Sequence, residues 1–426
     1  MNRRTDPVLA TGLALPVVAV LMLVGVSLSA TPDSADAPLT RDLDRNAVVC
    51  ATPAGTATSV GVSLGADAAT IRPTNLGTAS VFLGTGATAS GLVAGQWTSD
   101  PPTVAACTAP ISASWFVGLG AGPRHASVVE LVNPTPGQAV IDLTLYGPGG
   151  ELGVPDLRGI VVPANSAVRI ELADQTPMLG WLTLHSQVVR GQVSVQVTDT
   201  LTDLDGSVRG VNQLPGQDAP ATNNLLLGLV GDDSNLVITN PGTVRASVAV
   251  RLLAGESVFT PTGSEPVQIK PGETSTLDLA RLLGSEVADG ALGVVVASDQ
   301  PVVSSLRTTT TSALTLVGAS SRVQSASAVL VPTGAKSVVL GGADGVGSVV
   351  VSSFDRSGEQ IDRRRVALTE GMGAEVDVPD AAQRIEVFGT NVSFAASAVV
   401  TDRGVVGFTE PAYTSLVPSV RPSFGG

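Results

Sequence analysis

The feature that most narrows the fold is an internal repeat of about 107–112 residues, aligned on an Asn-Pro step. Leu131-Val132-Asn133-Pro134 returns as Val237-Ile238-Thr239-Asn240-Pro241. Each copy leads into an alternating apolar run, Ala139 to Tyr146 and Ala246 to Leu253. Asn initiates a turn, and Pro presets φ while removing a donor, so the step marks a fixed corner between strands. Gly150-Glu151 and Gly255-Glu256 follow, then a shared proline at Pro163 and Pro271. Ile170-Glu171-Leu172-Ala173 and Leu277-Asp278-Leu279-Ala280 each lead into a short helical turn. Trp181 to His185 with Gly191 to Thr198, and Leu292 to Ala297 with Pro301 to Thr308, close the two copies.

A third, weaker copy follows. Val366 to Pro379 tracks Val267 to Ala280 without a gap, and Ile385 to Phe388 with Phe394 to Thr401 supply its last strands. Its Asn-Pro is replaced by Gly342-Ala343. Short runs of Val, Ile, Leu and Thr broken by Pro, Gly, Asn and Asp are the punctuation of strands. Seven such strands per hundred-odd residues fit a sandwich domain. The expected fold is therefore all-β, with tandem immunoglobulin-like sandwiches behind one N-terminal transmembrane helix. A closed propeller is the alternative, although propeller repeats run nearer ~40–50 residues. The expected division is an anchor or signal peptide with linker (1–40), a β segment that does not match the repeat (41–112), repeats over 113–215, 222–312 and a degenerate 325–412, and a tail (413–426).

Arg3 and Arg4 precede an apolar run from Val8 to about Ala30, close to the ~20 residues that cross a bilayer core. A secretory core is shorter, about 7–15 residues. Arg on the N-terminal flank, with Asp33 and Asp36 beyond the run, orients the N-terminus toward the cytoplasm. Whether anchored or cleaved, the rest of the chain is expected outside the cytoplasm. The only two cysteines, Cys50 and Cys107, are then expected to form a disulfide. Charged residues are 14% of the chain and the net charge is −13. Lys270 and Lys336 are the only lysines. An acidic chain without a basic face is a poor partner for nucleic acid and for anionic lipid surfaces, so membrane contact is expected through the N-terminal helix alone.

Motifs that could carry chemistry each have a plainer reading. Gly61-Val62-Ser63-Leu64-Gly65 spells a nucleophile elbow, but that motif needs a helix after it, and Ala66 to Thr74 shows none. Gly118, Gly120 and Gly122 resemble a phosphate loop, yet a strand rather than a helix N-terminus follows. Asp199, Asp203, Asp205 and Gly206 suggest calcium without the register of a calcium loop. His125 and His185 lack the companions zinc requires. Trp97, Trp115 and Trp181 read better as core than as a sugar platform, and Asn391-Val392-Ser393 is a formal glycosylation sequon. Arg363, Arg364 and Arg365 read as a charged edge strand or as a contact for an anionic polymer. No catalytic residue, metal site or cofactor is expected.

The cationic N-terminus and spanning run, Cys50, Ser114-Trp115-Phe116-Val117-Gly118, the Asn-Pro units and the bias to Arg over Lys together resemble an actinobacterial family of exported envelope proteins catalogued only as a domain of unknown function. That resemblance implies an envelope location, near machinery for cell-wall polysaccharide assembly, and carries no catalytic residues. The expected function is a non-enzymatic, membrane-tethered scaffold that contacts envelope proteins. The alternative is a polysaccharide-binding protein using Trp97, Arg363, Arg364 and Arg365, and a hydrolase using Ser63 ranks below both.

Overall fold

The alternation of Ala139 to Tyr146 folds as a strand, Ala139–Gly147, whose Ile141, Leu143 and Leu145 are buried. The same period of two builds strands throughout. The structure, a computed structural model, describes residues 39–51, 57–64, 69–77, 79–176, 178–230, 234–283, 290–309 and 313–417. The expected N-terminal membrane span lies outside these residues. Among the described residues no helix is long and apolar enough to cross a membrane. Two compact units are present, residues 43–413 and a small unit containing Leu39–Asp42 and Thr414–Val417. In the small unit those two strands pair antiparallel, so the expected tail carries a strand.

Within the larger unit, each repeat is two antiparallel sheets. In the first repeat one sheet runs Ser166–Glu171, His125–Asn133, Ser194–Thr202, Val208–Gln213. The other places Ala113–Leu119 beside Leu182–Arg190 and then Ala139–Gly147. Leu131, Ile141, Leu145, Leu184 and Val195 fill the space between them. The third repeat copies this order, with Ala374–Val378, Lys336–Gly341, Ala395–Val400, Gly404–Gly407 facing Ala326–Leu330, Arg384–Thr390, Gly347–Phe354, Gln360–Leu368. In the second repeat the two expected closing strands are one 17-residue strand, Gly293–Thr309, which joins both sheets into one of eight strands. Leu314–Gly318 pairs with that strand and completes this repeat. The expected helical turns are Leu172–Gln175 and Ala280–Leu283. Because each module encloses its own core between sheets, with neither a closed barrel nor radiating single-sheet blades, the propeller alternative does not hold.

Residues 43–108 form a fourth module. Ala69–Ile71, Ala57–Ser63, Leu92–Ser99 and Pro102–Ala106 reproduce the first-sheet order of the repeats, and Arg45–Cys50 pairs with Ala79–Thr85 as the opening strand does elsewhere. Its core is small: Val48, Cys50, Phe82, Leu92 and Ala94. In each module the chain leaving the last strand returns to the first. Val49 and Thr108 exchange two backbone hydrogen bonds, as do Trp115 and Gln217, while Ser320 N–H donates to Leu225 O. Only in the smallest module is this clasp covalent, through Cys50–Cys107.

The four last strands, Pro102–Ala106, Val208–Gln213, Leu314–Gly318 and Gly404–Gly407, pack against one another in a closed cycle. They also enter neighbouring cores. Leu314 and Leu316 of the second repeat sit in the core of the first, and Val405 of the third packs on that of the second. Val104 of the N-terminal module sits in the core of the third.

The Asn-Pro corners are buried polar knots. Asn133 Nδ2 donates to Gly137 O (2.7 Å), Val162 O (3.2 Å) and Pro163 O (3.0 Å), while its Oδ1 accepts from Thr135 N and Oγ1. Asn240 repeats this with Val244 O, Ile269 O and Gly242 N. The third repeat substitutes Asp344, whose carboxylate accepts from Ser393 N and Oγ, with Arg322 donating to Gly342 O beside it.

Two outcomes follow from these ties. Asn133→Ala strands several buried partners and should lower stability by about 2–3 kcal/mol in urea unfolding. Cys50→Ser/Cys107→Ser removes a cross-link over 57 residues and should cost about 4 kcal/mol on the chain-entropy model. Equal unfolding midpoints for the variant and the oxidised parent would refute that assignment.

Candidate functional site

Strands His125–Asn133 and Ser194–Thr202 run antiparallel with Ser127 opposite Asp199. Side chains two apart share a face, so His125, Ser127 and Asp199 meet on one side of the sheet. The Ser127 hydroxyl donates to Asp199 Oδ1 at 2.5 Å and itself accepts the Gly120 N–H at 2.9 Å. His125 Nε2 lies 3.0 Å from the same carboxylate oxygen. From the second repeat, Arg307 donates through Nη1 to Asp199 Oδ2. That Nη1 is also 2.6 Å from His125 Nε2. The single ring nitrogen stands between a donor and an acceptor, and its tautomer selects which bond it makes.

Asp199 is fully buried. Burial alone would push its carboxyl up, but Arg307 and His125, helped by the Ser127 hydroxyl, outweigh it and hold the group below the usual carboxylate range. Trp181, at a left-handed φ of 58°, sets its indole edge-on to His125 at 5.4 Å with the Arg307 guanidinium 5.8 Å from the ring centre. These groups border a cleft of about 680 Å³ shared by the first two repeats, to which Arg124 and Arg209 also contribute.

The glycine loop read from the sequence serves this site by packing. A Cβ on Gly120 would fall 2.4 Å from the His125 ring, and Ala121–Gly122 pairs with His125–Asn133 as a hairpin. Of the acidic cluster, Asp199 turns into the ion pair while Asp203 and Asp205 stay exposed on a turn. There Asp205 accepts from Ser207 N and Oγ. Among the described residues no group of three His, Cys, Asp or Glu is placed to hold a metal.

The other candidates lie apart. Trp115 is buried and stacks on His185 at 4.1 Å; burial, then Arg158, pushes the His185 imidazole down. Trp97 packs against the core of the third repeat. Arg363, Arg364 and Arg365 are exposed on the edge strand Gln360–Leu368, with Arg364 paired to Asp362 at 2.9 Å. The structure does not bring Trp97 to these arginines: the Trp97 strand, Leu92–Ser99, packs against Ala326–Leu330, at the opposite edge of that sheet. Ser63 is buried and donates to Ser90 O. Gly61 beside it lies so close to Phe82 that a Cβ would meet the ring at 2.3 Å, so this glycine is a packing requirement. Asn391 is exposed with a left-handed φ of 58°, a turn position. Sequence reading missed Arg307 and its exposed companions Arg124 and Arg209. The available signal was Arg307 itself, the lone charge in the sequence run Pro301 to Thr315, where a buried cation demands a partner.

Four interlocked two-sheet modules with a charged cleft between two of them define a multi-module all-β protein. The chain belongs to DUF5719, a family of unknown function whose model matches residues 84–379. No curated protein matches it. Among solved structures it is similar to a tetra-tandem repeat in the extending region of a large adhesion protein, at 10% identity over 89% of this chain and 93% of that one, with a TM-score of 0.11. Another is Escherichia coli alpha-2-macroglobulin activated by porcine elastase, at 14% identity over 91% of this chain and 41% of that one, with a TM-score of 0.12. At such scores neither likeness bears on fold or function.

Because the folded protein keeps Asp199 ionised to lower pH than the unfolded chain does, the folded state binds fewer protons. Its contribution to stability is full above about pH 4, the unfolded value, and is lost as pH falls through the depressed folded value. Asp199→Asn leaves Arg307 buried without a counter-charge and should cost about 3–5 kcal/mol at neutral pH. The variant should then lose less further stability on acidification than the parent, measured by urea unfolding across the acid range.

Proposed function

We propose that this protein is a non-enzymatic scaffold of the cell envelope, held outside the cytoplasm by its N-terminal apolar run, with each two-sheet module an immunoglobulin-like sandwich. The observation that carries this reading is the cyclic packing of the four last strands, from which Leu314, Leu316 and Val104 enter the core of another module and Val405 packs against one. Such a body presents its outer loops and sheet edges at set distances, which suits holding partners rather than turning over a substrate. The Cys50–Cys107 bond supports an oxidising compartment. The partners proposed are envelope proteins, among them those of cell-wall polysaccharide assembly.

In-cell cross-linking of the full-length protein, followed by mass spectrometry, tests this reading. It should recover one or a few envelope proteins, with cross-links on outer loops. Capture of glycan with no protein would overturn the scaffold and favour polysaccharide binding.

A further inference from the structure

The cleft between the first two repeats is not explained by scaffolding. Its wall carries Arg124, Arg209 and Arg307 against one carboxylate, Asp203, in a chain whose net charge is −13. Arg124 and Arg209 are exposed, and neither has an ion-pair partner among the described residues. Arg307 is buried, its Nη1 is committed to Asp199, and its Nη2 is left without a hydrogen-bond partner. An unmet buried donor is costly, so an acceptor reaching it is favoured. Converging cations on a low-dielectric wall focus field on an incoming anion.

The rim has the opposite character. Met178 is 77% exposed, Leu204 88% and Leu179 36%, and all three line the same cleft. Single exposed apolar residues are ordinary on any surface. Three around one cationic cleft are a complementary surface for a ligand that has both parts. A volume of about 680 Å³ is also far more than a bare ion needs, and falls in the range of organic-ligand sites.

We propose that this cleft binds an amphiphilic oxyanion, its phosphate or carboxylate headgroup held by Arg124, Arg209 and Arg307 and its alkyl body lying across Met178, Leu179 and Leu204. The site holds one molecule rather than a lipid surface, because its cations lie inside a cleft.

The test uses the full chain and four probes below their micelle-forming concentrations: octyl phosphate, octanoate, inorganic phosphate and octyl glucoside. Tryptophan fluorescence is the readout, and Trp181→Phe locates the signal, which must vanish in that variant. Octyl phosphate or octanoate should bind at least about tenfold tighter than inorganic phosphate, the gain from burying a few methylenes, and tighter than octyl glucoside by a similar factor. The stronger of the two anions identifies the headgroup. Arg124→Ala/Arg209→Ala, on exposed positions that leave the fold intact, should weaken the anion about tenfold without changing octyl glucoside. Met178→Ser/Leu204→Ser should erase the gain over inorganic phosphate. Binding of inorganic phosphate or octyl glucoside as tight as that of the best anion overturns the proposal. So does a fluorescence change that survives Trp181→Phe, or no saturable response to either amphiphilic anion.

Discussion

Everything in the larger unit depends on the exchange of apolar side chains between neighbouring modules by their last strands. A two-sheet module of about a hundred residues has two open edges, and an open edge carries unpaired backbone groups and uncovered apolar side chains. Here one edge of each module is turned inward, where the last strands of all four pack around a common centre. Leu314 and Leu316 complete a core that is not their own, and Val104 does the same for the third repeat across most of the chain length. The modules therefore share their apolar burial, and a change in one core is felt in the next.

Polar contacts set the register of that packing. Thr183 and Thr239 hydroxyls meet at 2.7 Å, Ser305 Oγ donates to Val117 O, and Gln217 bridges the first repeat to Ser304 N. The Asp199–Arg307 pair belongs to the same set. An ion pair taken out of water gains little net stability over apolar side chains of equal volume. Its geometry is exacting, however, and a one-residue slip of either strand would turn its member of the pair, Asp199 or Arg307, to the other face. Asn212 acts similarly at the centre, donating to Leu314 O and Arg403 O from two other modules.

Much of the architecture was legible in the sequence because alternation and turn chemistry are local. The Asn-Pro corners, the alternating strands, the helical turns and the Cys50–Cys107 pairing all rest on neighbours or on a count. The fourth module was not legible. Its first-sheet order matches the repeats, but Pro73–Leu76, the third strand of its second sheet, comes from a later point in the chain than the strand filling that place elsewhere. Alignment along the sequence cannot see an equivalence carried by pairing. The fused strand Gly293–Thr309 is a similar case, since two expected strands become one when no glycine breaks the run as Gly191 does at φ 83° in the first repeat. Arg307 was missed because its partners lie 108 and 182 residues away.

Closure of the cycle also explains where the disulfide sits. The N-terminal module has the smallest core, yet it bridges the first and third repeats: Gln196 Nε2 donates to Val49 O on one side and Arg403 Nη1 to Thr98 O on the other. A weak link in an open array frays alone, whereas a weak link in a closed one loosens both of its neighbours. A small core gains most from restricting its unfolded chain. The cross-link therefore strengthens the place where the cycle closes. The first two repeats hold the same clasp with backbone hydrogen bonds, and the third holds it through Ser327 Oγ on Thr409 O and the Glu410 carboxylate on Gln324 and Ser325 N–H.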